Sequence, residues 1–114
     1  MTEKNICCSL TDASEKPLKF DQLPIDQMAI VFQALSNTSR LKIVLVCLDC
    51  ERTVTEIIDK TGISQSLVSH NLRLLRDLRI LRVRKDGRHQ YYSLSDYHIS
   101  HIINDLAYHI QECK

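Results

Sequence analysis

Apolar positions recur along this chain at two spacings, and the changes from one to the other mark its elements. From Phe20 to Leu35, the residues Leu23, Met28, Ile30, Val31, Phe32 and Leu35 form a broad stripe that predicts a helix. Asn37 is placed to cap a second helix, Thr38 to about Leu48, with Leu41, Val44, Leu45 and Leu48 inward. In TVTEIIDKTG, Thr53 and Glu56 have capping-box spacing and Gly62 stops the short helix. Ser64 then opens SQSLVSHNLRLLRDL, where Leu67, Val68, Leu72, Leu75 and Leu78 face inward. Two short helices about a glycine turn are a helix-turn-helix. The spacing then alternates: Leu81 and Val83 against Arg82 and Arg84, Asp86-Gly87 as the turn pair, and Tyr91 and Tyr92 leading a return strand. A last helix runs from Asp96 to Glu112. The expected fold is mainly α with a β-hairpin wing, a winged helix-turn-helix with a helix added at each end.

Residues 1–19 lack periodicity and read as a mobile N-terminal arm, leaving 20–112 as one DNA-binding and dimerisation domain. A chain of 114 residues supports one core. No apolar run reaches the roughly 20 residues of a membrane span, and MTEKNICC lacks a signal-peptide core. A cytoplasmic protein without membrane partners is expected. The cysteines, Cys7, Cys8, Cys47, Cys50 and Cys113, are odd in number with two adjacent, which speaks for reduced thiols over a disulfide framework.

Net charge is only +1, yet Arg73, Arg76, Arg79, Arg82, Arg84, Lys85 and Arg88 crowd one segment against Asp77 and Asp86 alone. Concentrated basic charge in a near-neutral protein points to a polyanion. With the inward residues assigned, Gln65, Ser66, Ser69, His70 and Arg73 remain on the outer face of the second helix. Small polar side chains there suit entry into the major groove of double-stranded DNA. Arg84, Lys85 and Arg88 at the wing would lie over the phosphate backbone.

The last helix, DYHISHIINDLAYHIQE, has two faces. Ile99, Ile102, Ile103, Leu106 and Ile110 form an apolar stripe, and His98, His109 and Glu112 share another side. His98 and His109 are about three turns apart, which separates them by roughly 16 Å along the axis. Zinc ligands sit about 2 Å from the ion, so one helix cannot bring both to a single metal. Two antiparallel copies can: Asp96 and His98 of one chain meet His109 and Glu112 of the other. The ligand set therefore predicts antiparallel C-terminal helices in a homodimer, with the site formed twice. Two nitrogens and two carboxylate oxygens suit Zn(II), with Co(II) an acceptable substitute. Asp105 and His101 lie near the same side, and a chelate using them is an alternative. A fourfold protein ligand set leaves no open position for catalysis. Neither an enzyme nor a small-molecule substrate is expected.

The stretches ALSNTSRLKI, ISQSLVSHNLRLLRDLRIL and GRHQYYSL, with the pattern Asp-x-His-(ten residues)-His-x-x-Glu, resemble the ArsR/SmtB family of metal-responsive repressors over residues 25–112. The resemblance implies a dimer that holds operator DNA and is released by Zn(II), derepressing genes for metal efflux or sequestration. One departure stands out. Where relatives carry Glu-Leu-Cys-Val-Cys, this chain has Glu51-Arg52-Thr53-Val54-Thr55, so that soft-metal site is not intact. Cys47 and Cys50 lie just upstream and, with Cys7 and Cys8, are candidates for a relocated metal or thiol site. A thiol-based soft-metal, redox or persulfide-responsive repressor, with Cys113 included, is the alternative function.

Overall fold

The computed structural model describes residues 18–112. Most of the arm expected over 1–19 lies outside them, as do Cys7, Cys8 and Cys113. After a single 3-10 turn at Phe20–Gln22 come α1 (Ile25–Leu35), α2 (Thr38–Val46), α3 (Val54–Thr61), α4 (Gln65–Asp77), β1 (Leu81–Asp86), β2 (His89–Leu94) and α5 (Tyr97–Glu112). The two strands form one antiparallel hairpin. No single helix among the described residues is long and apolar enough to cross a membrane.

The first helix starts later than its apolar stripe suggests. Pro24 excludes Leu23 from the helical region, and Leu23 is extended at φ −76°, ψ 135°. The Pro24 carbonyl then accepts from Met28 N–H (2.9 Å) to open α1. The local caps fall where the sequence places them. Asn37 accepts from Arg40 N–H (3.1 Å), and Thr53 and Glu56 satisfy each other's backbone amides. Gly62 takes the left-handed conformation at φ 73°, and the Ser64 side chain accepts from Leu67 N–H.

Ile43, Val44, Cys47, Ile57, Val68, Leu72, Leu75, Ile80 and Leu81 form the core, completed by Ala34, Tyr92 and Leu94. Not every residue expected to face inward belongs to it, and Leu41 is half-buried outside the cluster. Leu45 and Leu67 are exposed, because α2 turns Ile43 and Cys47 inward and α4 turns Val68 and Asn71 inward. α2 also ends at Val46, short of Leu48.

The α4 terminus supports the wing. Ile80 N–H donates to the Leu75 carbonyl and Arg79 N–H to the Arg76 carbonyl, both at 2.9 Å, with Arg79 left-handed at φ 61°. This is a Schellman motif with arginine where glycine is usual. Its hydrophobic pair is Leu75 and Ile80, both buried. In the wing, Asp86 pairs with His89, so the two-residue loop is Gly87-Arg88, one position later than Asp86-Gly87. Gly87 has φ 63° and Arg88 stays at negative φ, the pattern of a II′ turn with glycine first.

Candidate DNA interface and ligand-bearing helix

The geometry of α4 exposes a polar face beside a buried one. Gln65, Ser66, Ser69, His70 and Arg73 are all exposed, while Val68, Leu72 and Leu75 anchor the helix. Asn71 is buried on the inner side, and its Nδ2 has no hydrogen-bond partner among the described residues. The sequence offered no sign of this polar residue at a core position.

The wing carries its basic residues in two different states. Lys85 and Arg88 are exposed near the tip. Arg84, also exposed, is engaged by side chains of its own chain. Its Nη2 donates to Glu51 Oε1 (2.9 Å) and its Nε to Glu51 Oε2 (3.0 Å). The guanidinium also lies over the Tyr91 ring, 4.6 Å from its centre, and Nη1 approaches Asp86 at 3.7 Å. The bond from Arg84 holds the Glu51 carboxyl below its ordinary range, and Glu51 in turn raises Arg84. Glu51 and Arg84 are 33 positions apart, so no local pattern announces the pair.

On α5, Asp96 precedes the first turn and its Oδ1 accepts from His98 N–H (2.9 Å), which places the two candidate ligands side by side. Tyr97 packs against His98 and His101 at ring-centre distances of 4.4 and 5.1 Å. His109 and Glu112 occupy the other end of the helix. Within one chain the two pairs stay apart, and no three His, Cys, Asp or Glu side chains among the described residues gather around a common point.

The face between these pairs is apolar. Ile102, Leu106 and Ile110 are exposed, Leu106 by 55%, and Ile99 and Ile103 touch the core only in part. Met28 and Phe32 of α1 continue the patch, and with Gln27, Val31, Leu35, Ile99 and Ile102 they line a groove. The two described cysteines differ. Cys47 is 1% exposed, and burial pushes its thiol up to about 12, against a smaller opposing effect of Arg52. Cys50 is exposed.

A helix-turn-helix with an exposed polar second helix and a basic two-stranded wing defines a winged-helix DNA-binding transcription regulator. Residues 37–83 match the model of the bacterial regulatory protein, arsR family. The chain belongs to that family. It is 39% identical over 92 residues to a cadmium resistance transcriptional regulatory protein CadC homolog of Staphylococcus aureus, covering 80% of this chain and 75% of that protein. It is 40% identical over 86 residues to a transcriptional repressor SmtB homolog of Synechocystis sp., covering 75% of this chain and 65% of that relative. Among solved structures, a homodimeric winged helix-turn-helix DNA-binding domain from Mycobacterium bovis superposes with TM-score 0.74 at 27% identity, covering 89% of this chain and 92% of that one.

Proposed function

We propose that this protein is a zinc-responsive repressor that holds operator DNA as a homodimer and releases it when Zn(II) binds at two intersubunit sites. The observation that carries the reading is the layout of α5: a ligand pair at each end and an uncovered apolar stripe between them. An antiparallel second copy covers the stripe and brings Asp96 and His98 of one chain to His109 and Glu112 of the other. Exposed apolar area of this extent, continuous with Met28 and Phe32, marks an association surface.

The donor set fits the metal. Asp96 spends Oδ1 on the helix cap and keeps Oδ2 for an ion. With His98, His109 and Glu112 it supplies two nitrogens and two oxygens, a tetrahedral zinc set that Co(II) also accepts. Bound zinc supplies a link between the two α5 helices. The chain's own residues then set what moves, because α5 packs against β2 of the wing, and the wing continues from α4. Metal favours a dimer in which the two α4 helices no longer fit successive major grooves, and DNA weakens zinc binding by the same factor. Gln65, Ser66, Ser69, His70 and Arg73 meet the groove, with Lys85 and Arg88 on phosphates. Release opens genes for metal efflux or sequestration.

The test is fluorescence anisotropy of the reduced protein on the DNA upstream of its own gene, with and without zinc, beside His109→Ala. Zinc should weaken binding of the wild type and leave the variant unmoved. Equal responses in both proteins would remove α5 from the mechanism and turn attention to Cys50 and the other thiols.

A further inference from the structure

The wing's most structured cation is Arg84, and its partner is a carboxylate. Glu51 meets the Nε and Nη2 edge in a two-pronged contact, Tyr91 covers one face, and Asp86 stands near Nη1. Both halves of the clamp are fixed to each other through the backbone. Arg52, next to Glu51, exchanges two hydrogen bonds with Tyr92, next to Tyr91. Arg84 and Tyr91 face each other in the hairpin register. An exposed ion pair alone contributes little to stability, but a forked pair inside such a network has a defined geometry. A carboxylate in that fork offers two oxygens in the same arrangement as a phosphate.

We propose that Glu51 is a positioning residue for DNA binding, occupying the Arg84 guanidinium in place of a DNA phosphate and leaving Lys85 and Arg88 as the wing's phosphate contacts. Arg84 then sets where the wing stands instead of adding to its affinity. This departs from the expectation that Arg84 touches DNA, and it rests on the reading that the wing meets the duplex.

Salt dependence separates these roles, since each phosphate contact adds about 0.9 to the slope of log K against log salt. Full-length protein is titrated onto a labelled duplex of the region upstream of its own gene over a range of KCl concentrations. Arg88→Ala should lower the slope by about one, Arg84→Gln should leave it at the wild-type value, and Glu51→Gln, which is isosteric, should raise it by about one. The double variant Glu51→Gln with Arg84→Gln should return to the wild-type slope. A loss of about one in Arg84→Gln, with Arg88→Ala also lowered, would overturn the clamp and leave the wing reading standing. A rise in Glu51→Gln that survives in the double variant would assign the effect to bulk charge and overturn it too. An unchanged slope in Arg88→Ala would overturn the wing reading and the proposal with it. Circular dichroism of Arg84→Gln checks its fold, and the slope of Glu51→Gln decides between the outcomes should that variant unfold.

Discussion

Arg52 and Tyr92 exchange both of their backbone hydrogen bonds, at 2.9 and 2.8 Å, so one residue of the α2–α3 loop forms an isolated β-bridge to the wing. The Arg52 side chain works in the other direction, its Nε donating to the Val46 carbonyl (2.9 Å) at the end of α2. One residue therefore links the end of α2 to the hairpin, its side chain bonded to the first and its backbone to the second.

Arg52→Ala separates the two. The backbone bridge survives, and the Val46 carbonyl loses its donor, at a cost of about 1 kcal/mol. Urea unfolding should report that loss while the Tyr92 amide stays protected in hydrogen exchange. A Tyr92 amide exchanging as fast as one in a mobile loop would show that the side chain, not the bridge, holds the wing.

Arg79 sits at φ 61°, where a Cβ is disfavoured by about 1–2 kcal/mol. Arg79→Gly relieves that strain and gains flexibility in the unfolded chain, for a net stabilisation of roughly 0.5 kcal/mol. Thermal melting should move upward by a few degrees, and Arg79→Val should move it downward. A lower midpoint for the glycine variant would mean that the arginine side chain contributes more than its backbone costs.

Cys47 has a thiol raised by burial from 9.0 to about 12. Above pH 9 the unfolded chain gives up this proton while the folded chain keeps it, so stability falls as pH rises toward 12, by at most about 1.4 kcal/mol per pH unit. The difference between wild type and Cys47→Ala isolates this slope from the other alkaline titrations. At pH 8, iodoacetamide should label Cys50 and spare Cys47 in the folded protein, read by peptide mass mapping. Equal labelling of the two would contradict the burial.

Leu106 lies at the middle of the exposed stripe of α5. Leu106→Glu puts a charge where a second copy would pack, and sedimentation velocity should find a monomer at concentrations where the wild type is a dimer. A dimeric Leu106→Glu would place the contact elsewhere.

Local chemistry was legible in the sequence and distant chemistry was not. Asn37, Thr53 with Glu56, Gly62 and Ser64 each act within three or four residues, and each does what its neighbours imply. The late start of α1 follows a local rule that outranks the apolar stripe, the exclusion of Leu23 from helix by Pro24. Leu45 and Leu67 face outward for another reason. Short helices packed on more than one neighbour have no single inward stripe, and the choice among leucines is made by elements elsewhere in the chain. The hairpin loop shifts by one because Asp86-Gly87 and Gly87-Arg88 both supply the glycine that a two-residue turn needs. Of the candidate site, the spacing of His98 and His109 follows from helical rise alone. The capture of Arg84 by Glu51 depends on folding across 33 positions and on the isolated bridge at Arg52.

None of the sixteen residues of α5 is fully buried within its own chain, and only Ile99 and Ile103 pack in part on its core. Under the dimer reading, a solitary chain holds half of each ligand set and an unsheltered hydrocarbon strip, so it neither detects metal nor keeps its last helix firmly docked. Detection then scales with the square of protein abundance at low copy number, and apparent thermal stability climbs with concentration by mass action. A cell that lets this regulator fall below its pairing threshold loses the sensor before it loses the protein.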